Sequence, residues 1–295
     1  MAKKAVLAGG TGFIGQYFKE RLTDAGYDVH IISRQNTEIM WKDHHGIVAA
    51  LEGADMLVNL AGKSVNCRYN EANKKEILTS RTDTTKALGK ALLACDQPPP
   101  LWINASTATI YRHAEDQPMT EEGGDMGEGF SVEVGQAWEA AFFSFKLPKT
   151  RQAALRIAIV LGDGGVMEPY KNMVRFGLGG KQGNGKQMFS WIHIEDLYRM
   201  VLFIKDHDEL SGVFNASAPN PVTNDELMQA MRKAMNRKLG LPAAKWMLKA
   251  GAVALGTETE LILKSRWVLP ERIERAGFKF TYETLDDALA EILQK

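Results

Sequence analysis

Apolar positions in the first half of this chain alternate between two spacings. A solid apolar run at residues 4–8 leads into a glycine cluster, and Ile14, Phe18, Leu22 and Ala25 then follow at helical spacing. Strand, tight turn and helix are therefore predicted in succession. A second apolar run covers 29–32 after Gly26, and a third covers 56–60 after a short helical stretch and Gly53. Residues 72–94 set Ile77, Leu78, Arg81, Thr85, Leu88, Ala91 and Leu92 on one face of a long helix, which Pro98, Pro99 and Pro100 stop. A fourth strand is predicted at 101–105, a loop rich in Gly, Asp and Glu at 112–130, a helix at 132–146 and a fifth strand at 154–160. Strands joined by helices in this way pair in parallel, and the alternation predicts a doubly wound α/β sheet.

After residue 160 the rhythm breaks. Gly162, Gly164, Gly165, Gly177, Gly179, Gly180, Gly183 and Gly185 crowd into a short span, as in loops that turn sharply or approach a ligand, so 162–190 is expected on the substrate side. From about 223 onward helices dominate, with Thr223-x-x-Glu226 and Thr284-x-x-Asp287 each reading as a capping box. The expected division is a nucleotide-binding domain at 1–222 and a small, mainly helical C-terminal domain at 223–295.

Composition narrows the partners. Of 295 residues, 36 are basic and 36 acidic, so no net field draws the chain toward nucleic acid or an anionic membrane. No run approaches the roughly 18–20 apolar residues of a membrane span. Cys67 and Cys95 are too few and too isolated for a disulfide framework or a zinc site, which is the usage of a reducing compartment. The opening Met1-Ala2-Lys3-Lys4-Ala5 lacks the pattern of a secretion signal. A cytoplasmic protein acting on a small-molecule substrate, with a homodimer as a possible assembly, is the expectation.

The glycine cluster carries the chemistry. Gly9-Gly10-Thr11-Gly12-Phe13-Ile14-Gly15 has the spacing Gly-x-x-Gly-x-x-Gly between a strand and a helix. Glycines there let the backbone approach a pyrophosphate, and the helix terminus offers unpaired N–H donors with partial positive charge. A glycine-rich turn that holds no ligand is the competing explanation. The second strand ends Ile32-Ser33-Arg34 with no acid before Glu38, whereas an NAD site usually carries an acid there for the ribose hydroxyls. Arg34 suits the 2′-phosphate of NADP(H) instead, with Ser33 as a further donor. The third strand ends Asn59-Leu60-Ala61-Gly62, small enough for adenosine to lie against the backbone, although packing on a helix explains it equally well.

Together these features resemble the extended short-chain dehydrogenase/reductase superfamily, which pairs such a glycine loop with a later Asn-x-Ala-Gly. Residues 177–197, ending Trp191-Ile192-His193-Ile194-Glu195-Asp196-Leu197, are similar to the YfcH-like "epimerase family" branch, as are 215–224, Val268-Leu269-Pro270 and Ala276-Gly277-Phe278. The resemblance implies a Rossmann-type domain with a small appended C-terminal domain and bound NADP(H). It carries cofactor roles onto residues 9–15, Ser33, Arg34, Leu60 and Ala61, and also onto Glu76, Arg81 and Arg156. Read from the sequence alone, Arg81 and Arg156 serve equally well as structural ion-pair residues.

One part of the superfamily pattern is missing. Its enzymes usually move a proton with a Tyr whose pKa is lowered by a Lys four residues later. None of the seven tyrosines here has Lys at that spacing, and Val134 and Trp138 fall at the two positions. Ser106 and Thr107 remain at the end of the fourth strand, with Tyr111 close by, as candidate catalytic hydroxyls. Hydroxyls that merely satisfy backbone groups explain the same residues. His193 beside Glu195 and Asp196 is a weaker acid–base candidate, and His44-His45 reads as an exposed polar turn. Two functions follow: an atypical NADP(H)-dependent oxidoreductase or epimerase-like enzyme, or a catalytically silent NADP(H)-sensing protein.

Overall fold

The structure is a computed structural model, and it describes residues 3–35, 38–243 and 264–294. Seven parallel strands form the main sheet, in the order β10-β6-β5-β4-β1-β2-β3. They are β1 (Lys3–Ala8), β2 (Tyr27–Ser33), β3 (Ile39–Met40), β4 (Met56–Asn59), β5 (Leu101–Thr107), β6 (Arg151–Ile157) and β10 (Gly212–Ala216). Strand β1 is buried on both faces, so its side chains alternate between two cores. Ala5 and Leu7 join Phe18 and Leu22 of α1 (Phe13–Asp24) and Leu197 and Val201 of α6 (Ile194–Asp206). Val6 and Ala8 join α2 (His44–Leu51), α3 (Glu71–Ala94) and α4 (Phe130–Phe143) through Ile47, Leu88 and Phe142. Helices on both faces of a parallel sheet make the expected doubly wound layers.

Two boundaries differ from the periodicity. The helix expected at 132–146 begins at Phe130 and ends at Phe143. The strand expected at 154–160 is two strands: β6 stops at Ile157, and β7 (Ile159–Leu161) leaves the main sheet to pair with β9 (Trp191–His193). The break falls at Ala158, whose N–H donates to the Ala216 carbonyl 3.0 Å away. A continuous apolar run in the sequence carries no mark of such a change of partner.

Most of the remaining elements build a lobe at one end of the sheet. They are α5 (Met167–Arg175), β8 (Met188–Phe189), β11 (Val222–Thr223), α7 (Asn224–Ala234) and α9 (Leu285–Leu293), while α8 (Glu271–Arg275) puts Ile273 into the sheet's own core with α1 and α6. Thr223 and Glu226 make both halves of the predicted capping box. Thr284 caps α9 by accepting the Asp287 N–H. The lobe's apolar cluster joins Leu227 and Met231 of α7 and Leu289 of α9 to Leu161, Met167 and Trp191, so it draws on both sides of residue 222.

The glycine-rich stretch divides in two. Gly162, Gly164 and Gly165 pack against the Phe13 ring, where an added Cβ would meet ring carbons at 3.0–3.4 Å. Gly177 and Gly180 instead face Leu239 and residues 240–241. Among the described residues of 162–190, Val166 is the one that lines the cleft described below.

Candidate cofactor cleft

The cleft opens where the strand order reverses, between β1 and β4. Ligands of open α/β sheets bind outside the carboxyl ends of the strands at such a point. Register brings those ends level, with Ala8 opposite Asn59 and Asn59 opposite Asn104. The Asn59 side chain holds the alignment, its amide donating to Thr85 and Asn104 while its oxygen accepts the Ala61 N–H. A cleft of about 530 Å³ results, reaching from Gly9, Gly12 and Gly15 past Leu60 and Arg81 to Ser106, Thr107, Val134 and Trp138.

The three motif glycines have different causes. Gly9 has φ +78°, and a Cβ there would lie 2.7 Å from Ala61 backbone atoms; one on Gly15 would lie 2.6 Å from the Gly10 Cα. Both let backbone pack on backbone, β1 against β4 and helix against loop. Gly12 is another matter. It caps the amino end of α1 in extended backbone, and a Cβ on it would meet only the Gly9 oxygen, at 3.8 Å. Among the described residues nothing crowds a side chain there, and Gly12 lines the cleft. Behind Gly12 the first-turn N–H groups of α1 lack intrahelical acceptors. Gly10 is buried beneath the loop, while Thr11 is half-exposed, and Phe13 and Ile14 line the cleft.

The cations gather near the rim. Arg34 has an 81% exposed side chain with Nη1 3.8 Å from Glu76, which also pairs with Lys63. Lys63 lines the cleft and donates to Asn73 at 2.8 Å. Sequence reasoning passed over it, although it directly follows Gly62. Ser33 is buried, its oxygen accepting the Gln35 N–H. Arg81 lies deeper, its guanidinium 5.1 Å from the Trp138 ring centre and bonded to the Ile77 carbonyl. No ion pair to it occurs among the described residues, and burial pulls it down to about 10. A cation so poorly compensated suits an anionic ligand. Gly62 makes room for it, since a Cβ there would lie 3.0 Å from the Arg81 Cζ.

Val134 and Trp138 both line the cleft, one helical turn apart, where the sequence set them. The Trp138 indole N–H is spent on Thr85, 3.0 Å away. The three candidate catalytic hydroxyls fare differently. Ser106 donates to Glu139 at 2.6 Å. Glu139 also accepts from Nε and Nη2 along one edge of the Arg156 guanidinium, at 2.8 Å each. Tyr111 is buried, accepts from Arg156 and donates to Asn215, both at 2.9 Å. Thr107 lines the cleft while its oxygen accepts the Thr109 N–H. Of the three, Ser106 and Thr107 reach the cleft, whereas Tyr111 and Arg156 form a polar network behind its wall. Glu139 was missed, yet it left a signal: it is a charged residue on the stripe of Gly135 and Phe142, both buried.

His193 does not approach the cleft lining. Its Nδ1 caps α6 by accepting the Glu195 N–H, and its Nε2 meets Glu291 at 3.1 Å. Burial lowers its pKa below the usual 6.5, outweighing the Glu291 carboxylate. The unfolded chain thus binds the proton more readily, so this contribution to stability is complete above about pH 6.5 and falls as the pH drops toward the folded-state pKa. Thermal melts between pH 7.5 and 5 should show that slope, and His193→Asn, which keeps a capping oxygen, should flatten it. An unchanged slope in the variant would assign the effect to other groups. Among the described residues no cluster of metal-ligating side chains occurs and no helix is long and apolar enough to cross a membrane.

A parallel sheet of this order, with a glycine cradle at the mouth of its first helix, defines a Rossmann-type α/β protein. Its sequence matches the NAD dependent epimerase/dehydratase family over residues 5–127 and a domain of unknown function, DUF1731, over 243–292. It is 32% identical to Epimerase family protein YfhF of Bacillus subtilis, over 97% of each chain. It is 33% identical to human Epimerase family protein SDR39U1, over 98% of this chain and 99% of that one. The crystal structure of human SDR39U1 (isoform 2) with NADPH superposes with a TM-score of 0.89 at 32% identity, covering 99% of both chains. The chain belongs to this epimerase family.

Proposed function

We propose that the cleft takes NADP(H) and that the chain works as an atypical oxidoreductase or epimerase-like enzyme on a small molecule. Gly12 carries the reading: its missing side chain has no steric reason among the described residues and leaves the amino end of α1 open to a pyrophosphate. The human relative of similar fold was crystallised with NADPH. In this reading the first-turn amides of α1 hold the pyrophosphate, Leu60 and Ala61 back the adenosine, and Arg34 with Ser33 takes the 2′-phosphate. Glu76 orients Arg34 and Lys63 from between them. Arg81 gives positive charge beside Trp138, and Arg156 acts at one remove, by holding the carboxylate that receives the Ser106 proton. The bound nicotinamide supplies hydride transfer. Thr107 orients a substrate oxygen by donating its hydroxyl proton.

Arg34→Ala tests the choice of cofactor. It should weaken NADPH binding by ~1.5–3 kcal/mol, the worth of a charged hydrogen bond, and leave NADH binding nearly unchanged, as read by calorimetry. Equal losses for both nucleotides would remove Arg34 from phosphate recognition. Val134 and Trp138 favour a second reading, a sensor that binds NADP(H) without turnover, since neither transfers a proton. Tight NADPH binding with no oxidation across a wide panel of carbonyl compounds would select it.

A further inference from the structure

We propose that Ser106 presents a hydrogen-bond acceptor to the cleft and that the substrate is an α-hydroxy carbonyl compound, which sets an O–H donor beside its carbonyl oxygen. The step rests on the NADP(H) reading above. Its ground is the direction of one hydroxyl. Glu139 shares two hydrogen bonds of 2.8 Å with the Arg156 guanidinium, and in such a charge-assisted pair the carboxylate accepts and does not donate. The Ser106 hydroxyl, 2.6 Å from the same carboxylate, is therefore the donor. Both groups lie nearly out of solvent, with Ser106 4% exposed and the Glu139 side chain 12%. Turning the hydroxyl toward a ligand would strip a buried carboxylate of one of its hydrogen bonds, a cost that a new bond to a neutral oxygen does not match. Ser106 lines the cleft, so what it shows a ligand is its lone pairs.

Its neighbour has the opposite polarity. The Thr107 oxygen accepts the Thr109 N–H at 3.1 Å, which leaves the hydroxyl proton for the cleft that Thr107 also lines. An acceptor and a donor on consecutive residues of β5, with Cα atoms about 3.8 Å apart, match a carbonyl oxygen and an O–H on neighbouring carbons of one ligand. The rest of the lining sharpens the contrast. Lys63 and Arg81 only donate, and the described lining holds no carboxylate, imidazole or amide side chain, so its side-chain acceptors are hydroxyls. A carbonyl oxygen thus finds several donors, whereas a ligand O–H finds at Ser106 an acceptor that the Glu139–Arg156 pair keeps from turning. A plain ketone or a methyl ether brings lone pairs and no proton to that oxygen, and unlike charge disfavours neither group more plainly than lone pair set against lone pair.

Calorimetry with one variant tests this. NADPH is first titrated alone into the wild type and into Ser106→Ala. Acetophenone, α-methoxyacetophenone and α-hydroxyacetophenone are then titrated into each protein loaded with NADP+. In the wild type α-hydroxyacetophenone should bind at least about tenfold tighter than either of the others, the upper end for a single neutral hydrogen bond. Ser106→Ala should erase that preference and bind NADPH as the wild type does. The wild-type comparison stands whether or not the variant folds. α-Hydroxyacetophenone binding no tighter than acetophenone would overturn the inference and leave the cofactor reading intact. A preference that survives Ser106→Ala would put the acceptor elsewhere, and a loss of NADPH affinity in that variant would give Ser106 to the carboxamide of the cofactor; either result overturns it too. No heat with NADPH would overturn both readings.

Discussion

Replacing Glu139 with alanine is expected to cost about 3–5 kcal/mol of folding stability, measured as a lower midpoint of denaturant unfolding. The Glu139 and Arg156 side chains are only 12% and 6% exposed, and they share two hydrogen bonds of 2.8 Å. Removing the carboxylate leaves a guanidinium between β6 and α4 with Tyr111 as its remaining partner. Exchanging both residues for apolar ones of similar size, as in Glu139→Leu with Arg156→Met, should recover most of the loss, because the penalty lies in the stranded charge. A loss below about 1 kcal/mol in the single variant would be the figure for an exposed pair and would show that water reaches the site.

The glycine loop gives the second large effect. Gly12→Val should leave the melting temperature almost unchanged, since Gly12 has φ −83° and ψ 175°, extended backbone that valine adopts freely. NADPH affinity should fall at least about a hundredfold, roughly 2.8 kcal/mol, as the side chain fills the approach to the helix terminus. Gly15→Ala should do the reverse. Its Cβ would lie 2.6 Å from the Gly10 Cα, so the loop must shift, and a stability loss of about 1–3 kcal/mol is expected. If Gly12→Val bound NADPH normally, the ligand would have to lie elsewhere, and the proposed function would fail with it.

Much of the site was legible from local sequence. The strand-turn-helix at 4–25, the spacing of Gly9, Gly12 and Gly15 and the arginine after β2 are all short-range features, set by backbone sterics and by the 3.6- and 2-residue periods. The substitution of Val134 and Trp138 for a Tyr-Lys pair is also short-range, and both residues line the cleft. Arg156 and Tyr111 were harder to assign. Each sits in or beside an apolar run that does not name its partners, which lie 17 to 104 residues away.

The sequence by itself therefore determined the parallel sheet, the glycine cradle and the absence of the usual proton-transfer pair. Tertiary structure alone decided which polar groups are already spent. It bonded the Ser106 proton to Glu139, locked Arg156 behind the wall and turned Gly177 and Gly180 away from the cleft. The physical reason is that periodicity and turn chemistry act through near neighbours, whereas a buried hydrogen bond is chosen by whatever chain distance and burial leave within about 3 Å.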